Sequence, residues 1–251
     1  MPVRTIPKNS RSLTGKVIDF RSHRAVSFES ALERDFYVLL DFDPTVTHFE
    51  EQPVTIAYHD PVGVRRTYTP DVLVYYRPEA QRHHRTVLYE IKYRDDLRTH
   101  WHDYRSKFKA ARRYARTQGW VFRLITEREI RTPYLKNAKF LRQYQDWESD
   151  RGDRHRILAC LAVQGETSPE TLMASLSPDR WEHARLLPVL WSLIAMGEIG
   201  ADLTMALTMH SCIWSLDRVE ERRDDRRVES QTGARCHRPG ASLPGRAGRR
   251  P

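Results

Sequence analysis

The sequence is poor in cysteine and lacks any long apolar stretch. It has 3 cysteines among 251 residues, with no C-x-x-C pair and no Cys/His spacing of the kind found in zinc sites. We therefore expect neither a structural zinc ion nor disulfides, as in a reducing compartment. No apolar run approaches the about 18 residues that span a membrane, and the polar N-terminus lacks a signal-peptide core. These absences predict a soluble cytoplasmic protein that does not enter a membrane.

Acidic residues are outnumbered by basic ones. The chain carries 42 Lys and Arg against 33 Asp and Glu, which gives a formal net charge of +9. A surplus of this size favours a polyanionic partner, either nucleic acid or an acidic membrane surface. The length allows one substantial domain and a smaller one, each with its own core.

Two predicted strands at the centre of the chain carry charged residues. They cover residues 68–75 and 86–92 and are rich in β-branched and aromatic residues. Strand alternation puts Glu90 and Lys92 on one face of the second strand and Ile91 on the other. Two charges at the end of an apolar strand are costly to bury unless something offsets them. A divalent cation offsets a pair of carboxylates in this way.

Pro70-Asp71 in the first strand and Glu90-x-Lys92 in the second together resemble a metal-dependent catalytic site. Magnesium takes hard oxygen ligands and uses one or two protein carboxylates per ion. Lys92 would lie beside an attacking water or a scissile phosphate. On this pattern alone, a solvated edge strand with a surface ion pair is an equally good interpretation.

The first 27 residues are polar and basic and predict an N-terminal arm rather than a part of the core. The cations of this arm, among them Arg21 and Arg24, either lie in solvent or contact DNA phosphates. A helix is then predicted from a cap at Ser27. Glu29 and Glu33 lie one turn apart at its start, where they either suit the helix dipole or supply one acid to a metal site.

The next segment predicts a hairpin that leads to Asp71. Residues 54–58 form a short strand, and Asp60-Pro61-Val62-Gly63 has the composition of a tight turn. His83 and His84, in the following polar loop, are interpreted as exposed residues rather than ligands.

A long helix is predicted from about Arg98 to Gln118, closed by Gly119. One side of this helix is apolar and is expected to face the core: Trp101, Tyr104, Phe108, Ala111 and Ala115. The opposite side is basic and is either a solvated face or a DNA contact: Arg98, His102, Arg105, Lys109, Arg112 and Arg116. A strand at 120–125, a cap at Thr126 and a helix within 133–147 complete a mixed α/β domain at residues 28–147.

A polar segment at residues 148–153 is interpreted as a linker to a smaller domain at 153–216. This second domain has three helical patterns, the third of which is expected to kink or to divide into two pieces at Pro188. Two apolar segments follow, so the pattern is typical of a winged helix-turn-helix, which grips DNA or a protein. Residues 217–251 have almost nothing to bury and predict a disordered basic tail.

Four motifs occur in the same order and spacing as in one known family: residues 28–35, 49–53, 68–71 and 89–92, which read FESALERD, FEEQP, YTPD and YEIK. Together they resemble the TnsA endonuclease subunit of heteromeric cut-and-paste transposases, whose core is similar to type II restriction endonucleases. The likeness is strongest over residues 20–145 and weaker to about 216. The tail beyond 217 matches nothing in that family.

This resemblance implies a restriction-endonuclease-like mixed sheet flanked by helices, followed by a small winged-helix domain. Glu33 would be the metal-binding acid on the helix, Asp71 and Glu90 the ligands on the sheet, and Lys92 the catalytic lysine. With the Ile91 carbonyl, these acids would hold one or two Mg²⁺ ions, for which Mn²⁺ can substitute. The protein would be bacterial and associated with double-stranded DNA.

The family also implies a function and partners. The chain would cleave the 5′ ends of a transposon, an integrase-type transposase would cut and join the 3′ ends, and an ATP-dependent regulator would contact the C-terminal part. Two other functions fit the residues: a non-catalytic DNA-binding scaffold of a transposition complex, and a stand-alone nuclease of the restriction or junction-resolving kind. Dependence on a metal separates the enzymes from the scaffold, and cleavage without a partner separates the two enzymes.

Overall fold

The computed structural model describes residues 14–19, 23–78 and 86–216. The described part of the predicted N-terminal arm forms an antiparallel hairpin of β1 (Gly15–Asp19) and β2 (Arg24–Phe28) instead of a solvated extension. Val26 and Phe28 of this hairpin are buried in the main core. Alternating apolar residues therefore outweigh the basic composition here. Residues 217–251, where a disordered tail is predicted, lie outside the described residues.

The first helix, α1, covers Ala31–Phe42 and begins later than the sequence predicts. Ser27 lies in β2, and the cap is Ser30, whose hydroxyl accepts a hydrogen bond from the Glu33 amide at 3.1 Å. A serine cap of this kind satisfies one of the amides that the first turn leaves without a partner. The apolar side of the helix is buried against the sheet.

The central sheet has four strands in the order β3-β6-β7-β8. They are β3 (Val46–Glu51), β6 (Val72–Tyr76), β7 (Thr86–Ile91) and β8 (Val121–Ile125). The pairs β3–β6 and β6–β7 are antiparallel, whereas β7–β8 is parallel. The strand predicted at 68–75 is interrupted before Val72, and its first residue, Tyr68, belongs to a separate hairpin of β4 (Ile56–His59) and β5 (Arg65–Tyr68). Gly63 has a φ of 86° in the turn of that hairpin, as its composition predicts.

The two faces of β7 pack against different helices, which confirms the predicted alternation. Tyr89 and Ile91 face α1, and the rings of Phe36 and Tyr89 lie 5.2 Å apart. Leu88 belongs to the second hydrophobic cluster, with Phe108 of the long helix. Glu90 therefore points to the same side of the sheet as that helix.

The long helix, α2, covers Arg94–Thr117 and has a kink at His100. Phe108, Ala111 and Ala115 are buried as predicted, but Trp101 is 49% exposed, so its expected place in the core is wrong. Trp101 directly follows the kink, and its ring lies 6.1 Å from that of Phe108. The six basic residues predicted on the opposite side are all exposed, and Gly119 follows the helix with a φ of 72°.

Two short helices, α3 (Glu127–Ile130) and α4 (Pro133–Leu141), follow β8. Thr126 caps α3 in a complete capping box with Glu129, which confirms its predicted role. A single 3₁₀ turn, Arg142–Tyr144, ends this part of the chain.

The C-terminal part contains α5 (Arg151–Gln164), β9 (Glu166–Thr167), α6 (Pro169–Leu176), α7 (Arg180–Ala195), β10 (Ile199–Ala201) and β11 (Ile213–Ser215). Its three strands pair in the order β10-β11-β9. α5 begins inside the predicted linker. α7 continues through Pro188 as one helix, where the sequence predicts a kink or two pieces. Burial of the helix on both sides of Pro188 offsets the about 3 kcal/mol that an internal proline costs.

One hydrophobic core runs through both parts of the chain. The rings of Phe140 and Trp191 lie 5.4 Å apart, and the Asn137 amide donates to the carbonyl oxygens of Leu203 and Met205. The mixed sheet flanked by helices fits the restriction-endonuclease-like fold that the resemblance implies. None of the described helices is both long and apolar enough to cross a bilayer.

Candidate active site

Asp71 lies in the bend just before β6, at the edge where β6 meets the end of β7. The antiparallel register pairs Val72 with Tyr89, which brings Asp71 next to Glu90 and Ile91. The Ile91 amide donates a hydrogen bond of 2.6 Å to Asp71 Oδ2. This bond fixes the carboxylate of Asp71 at the end of β7.

Lys92 joins the two acids that the sequence predicts. Its Nζ lies 3.1 Å from Glu90 Oε1 and 3.7 Å from Asp71 Oδ2. It also donates to the Ile91 carbonyl oxygen at 3.1 Å. Two carboxylates and one carbonyl thus converge on a single ammonium group, which is the arrangement of acceptors that a cation requires.

Glu33 is close to this group but has other hydrogen-bond partners. Its carboxylate accepts from the Ser30 hydroxyl at 3.0 Å and from the Glu29 amide at 2.8 Å. Within the described part of the chain, no three His, Cys, Asp and Glu side chains form a ready metal-ligand cluster. The negative charge of Glu33 nevertheless contributes to the raised pKa values of Asp71 and Lys92, so the four predicted residues share one electrostatic environment.

Two acids of the site, Asp71 and Glu33, are hard to ionise in the folded chain, because the pKa of each is raised. Burial, and then the charge of Glu90, raise the pKa of Asp71 well above its usual range. Burial also raises the pKa of Glu33. Burial alone would lower the pKa of Lys92, but Asp71 and Glu90 outweigh it and raise that pKa. The ammonium therefore stays charged, and a further cation bound at the site would favour the ionised form of Asp71 and Glu33.

Two residues at the site were not predicted from the sequence. The Tyr68 hydroxyl donates to Glu90 Oε2 at 2.5 Å, and Lys107 Nζ lies 3.3 Å from Glu90 Oε1. Burial, and then the charge of Glu90, raise the pKa of Tyr68, which keeps its hydroxyl protonated as a donor. The only sequence signal for Lys107 is its place three residues after Tyr104, a spacing that puts a cation beside the apolar side of α2.

Gln52, in the FEEQP motif, connects the bend at Asp71 to the loop before α1. Its backbone N–H donates to the Asp71 carbonyl oxygen at 2.9 Å, and its side-chain Nε2 donates to Glu29 Oε1 at 3.1 Å. The backbone has a φ of 46°, which is uncommon for a residue other than glycine. Gln52 therefore holds the two segments that carry Asp71 and Glu33 against each other.

The cations predicted to contact DNA fall into three groups. Arg98, Arg105, Lys109 and Arg112 are exposed on α2, although Arg98 also pairs with Asp95 at 3.2 Å. Arg24 instead pairs with buried Glu51 at 2.8 Å and joins β2 to β3. Arg21 lies outside the described residues. An open cleft of about 500 Å³ lies at the start of α2, lined by Arg94, Leu97, Arg98, Trp101, Thr126 and Glu129.

Two family models match the chain one after the other. The model for the TnsA-like endonuclease N terminal matches residues 43–127, and the model for the TnsA endonuclease C terminal matches residues 129–203. Asp71, Glu90 and Lys92 fall within the first match, whereas Glu33 precedes it. A search of curated proteins finds no match. The two adjacent matches cover both parts of the fold, and the chain therefore belongs to the TnsA endonuclease family, the endonuclease subunits of transposases.

Proposed function

We propose that this chain is the Mg²⁺-dependent endonuclease subunit of a heteromeric cut-and-paste transposase and hydrolyses DNA at the 5′ ends of the transposon. The observation that carries this proposal is the convergence of Asp71, Glu90 and the Ile91 carbonyl on the Lys92 ammonium. Family membership supplies the class of reaction, and these groups supply the chemistry for it.

The donor set fits a hard divalent cation. Asp71, Glu90 and the Ile91 carbonyl offer oxygen ligands only, as Mg²⁺ prefers, and Mn²⁺ would substitute for it. Glu33 would join them by exchanging its hydrogen bonds in the first turn of α1. When bound, the metal activates a water molecule and neutralises charge that develops on the phosphate.

Lys92 would act on the reacting phosphate. Its ammonium is buried among acids and stays protonated, so it can donate to a phosphate oxygen or orient the attacking water. Water is the nucleophile in this proposal, and no covalent intermediate forms. Removing one such donor typically slows the reaction about 10²- to 10³-fold.

The rest of the chain would bind DNA and partners. The exposed cations of α2, Arg105, Lys109 and Arg112, would contact backbone phosphates beside the nuclease domain at residues 28–147. The helices and three-stranded sheet of residues 153–216 have the element order of a winged helix. This unit would meet an ATP-dependent regulator, and an integrase-type transposase would cut the 3′ ends. We therefore expect the protein to act on DNA in the bacterial cytoplasm.

Cleavage of a duplex that carries a transposon end, in the presence of the partner transposase, tests the proposal. We expect cleavage of the 5′ strand with Mg²⁺ or Mn²⁺, none with a chelator, and at least about a 10²-fold loss of rate for Asp71→Asn and Lys92→Met. Lys136→Met is the matched control, because it removes an exposed ammonium from α4. Cleavage by Asp71→Asn and Lys92→Met at the parent rate would contradict the proposal.

A non-catalytic DNA-binding scaffold is the second candidate. It is favoured by the absence, among the described residues, of a ready cluster of three metal-binding side chains. A scaffold would bind DNA equally well with and without Mg²⁺, and it would cleave neither strand. Cleavage without the partner transposase would instead indicate a stand-alone nuclease of the restriction or junction-resolving kind.

A further inference from the structure

Lys107 is a second cation at the proposed metal site, and it comes from a different element than the catalytic motifs. It lies on α2, and its Nζ is 3.3 Å from Glu90 Oε1. Its side chain is only 16% exposed, while Glu90 is 1% exposed. A buried carboxylate requires a partner of this kind, because an isolated charge is costly to remove from water.

Three aromatic rings surround the Lys107 ammonium. Its Nζ lies 4.2 Å from the ring centroid of Tyr104, 4.8 Å from that of Tyr68 and 5.2 Å from that of Phe108. All three distances are within the about 6 Å at which a cation is attracted to an aromatic ring. The ammonium therefore has a fixed place beside Glu90.

Both oxygens of the Glu90 carboxylate already have partners. Oε2 accepts from the Tyr68 hydroxyl at 2.5 Å, and Oε1 contacts both Lys92 and Lys107. A divalent cation that binds Glu90 must therefore approach two ammonium groups. Lys92 has Asp71 and the Ile91 carbonyl as further partners, but Glu90 is the acid that pairs with Lys107 in the described residues.

A divalent cation and the Lys107 ammonium would both contact Glu90, and two positive charges so close together repel each other strongly in a partly buried site. With Lys107 in place, a bare divalent cation would meet an acid that is already neutralised. A DNA phosphate brought into the site adds a negative charge and offsets that repulsion. The metal and the phosphate would then each favour the binding of the other, since such coupling is reciprocal.

We propose that Lys107 is a positioning residue of this active site, which acts as the counter-ion of Glu90 in the absence of metal and makes divalent-cation binding depend on bound DNA. This inference rests on the proposed function, because it assumes that Glu90 is a metal ligand. Beyond that function, Lys107 of α2 joins the residues of the active site, and its charge explains why the metal site would be complete only on DNA.

The experiment is a calorimetric titration of the full chain with Ca²⁺, a hard cation that takes oxygen ligands. Each protein is titrated without DNA and with a duplex that carries a transposon end. The variants are Lys107→Met and Lys107→Gln, which remove the charge, and Lys107→Arg, which keeps it. Lys136→Met is the control, since it removes an exposed ammonium from another helix.

We expect DNA to tighten Ca²⁺ binding by the parent at least about fivefold. Without DNA, Lys107→Met and Lys107→Gln should bind Ca²⁺ more tightly than the parent, and DNA should add little. Lys107→Arg and Lys136→Met should behave like the parent. The direction of the change is decisive, because a variant that merely loosened the site would bind Ca²⁺ more weakly.

The outcomes separate the inference from the proposed function. If the parent binds Ca²⁺ but the neutral Lys107 variants show the same affinity and the same effect of DNA, the role of Lys107 is refuted and the metal site stands. Weaker binding by both neutral variants would also overturn it. If the parent binds neither Ca²⁺ nor Mn²⁺ with DNA present, the metal-dependent nuclease is refuted, and the inference with it.

Discussion

Two aspartates in this protein, buried Asp35 and partly buried Asp71, lie in charged clusters that have opposite electrostatic character. In the Asp35 cluster, the carboxylate of Asp35 bonds to Lys139 at 2.6 Å and to Arg131 at 3.0 Å. In the Asp71 cluster, Asp71 shares Lys92 with a second acid, Glu90. Burial alone would raise the pKa of Asp35, but Lys139 and Arg131 lower it, whereas burial and Glu90 raise the pKa of Asp71.

The ratio of acids to cations explains this difference. In the Asp35 cluster three cations, Arg34, Arg131 and Lys139, meet one acid, and the cluster joins α1 to the segments of α3 and α4. Its charges are satisfied within the protein, so its role is to hold helices together. In the Asp71 cluster three acids, Asp71, Glu90 and Glu33, meet two cations, Lys92 and Lys107. A strongly raised pKa such as that of Asp71 is common at functional sites. Such a site favours a cation from solution.

Among the changes that test the difference between the two clusters, loss of the Tyr68 hydroxyl should have the largest effect, on metal affinity. Tyr68→Phe removes the donor that holds Glu90 Oε2, and groups that orient metal ligands typically contribute about 10- to 100-fold to metal affinity. We therefore expect Ca²⁺ binding in the presence of DNA to weaken by about that factor, as measured by calorimetry.

Tyr76→Phe is the matched control for this change. Tyr76 is also buried, in the central sheet, and its hydroxyl lies 3.0 Å from that of Tyr89. Equal losses of Ca²⁺ affinity in Tyr68→Phe and Tyr76→Phe would mean that the hydroxyl of Tyr68 supports the sheet and not the ligand. Asp35→Asn should leave Ca²⁺ affinity unchanged.

Much of the fold could be predicted where a local signal decides the structure. Gly119 ends α2 and Thr126 begins α3 as their residue types indicate. The strand β3 was missed because a register shift between Val46 and His48 interrupts its alternation of buried and exposed residues. The hairpin β1–β2 was missed because a basic composition conceals its short apolar alternation.

Only the site residues on or next to strands β6 and β7 could be predicted from the sequence. Asp71, Glu90 and Lys92 follow a motif with fixed spacing, and the strand register then brings them together. Tyr68 and Lys107 reach Glu90 from a separate hairpin and from α2, so their contacts depend on tertiary packing that no local pattern encodes. The partners of Glu33 in the first turn of α1 depend on where the helix begins, which the sequence places too early.

Asp35→Asn should have the second largest effect, on stability rather than on metal binding. Hydrogen bonds to charged groups contribute about 1.5–3 kcal/mol, and this change weakens two of them. Because the folded pKa of Asp35 is below its unfolded value, its stabilisation is present above pH of about 4 and is lost as the pH falls through the folded pKa. Denaturant unfolding at pH 7 and pH 3 measures the unfolding free energy of parent and variant.

We expect parent and Asp35→Asn to differ in unfolding free energy at pH 7 and to converge at low pH. Lys139→Met should destabilise the chain at pH 7 as well, because it leaves Asp35 with one cation fewer. A difference between parent and Asp35→Asn that is the same at both pH values would assign the loss to packing instead of charge.

Asp71→Asn should have the smallest effect, in the opposite direction. An acid whose pKa is raised in the folded state destabilises that state when it is ionised. Asparagine removes this repulsion from Glu90 and can still accept from the Ile91 amide, so we expect a gain of less than about 1 kcal/mol in unfolding free energy with a chelator at pH 7. Asp146→Asn, at an exposed position, controls for the change in net charge. If Asp71→Asn destabilised the chain as much as Asp35→Asn does, the excess of negative charge at the Asp71 cluster would be refuted, and both clusters would be structural ion pairs.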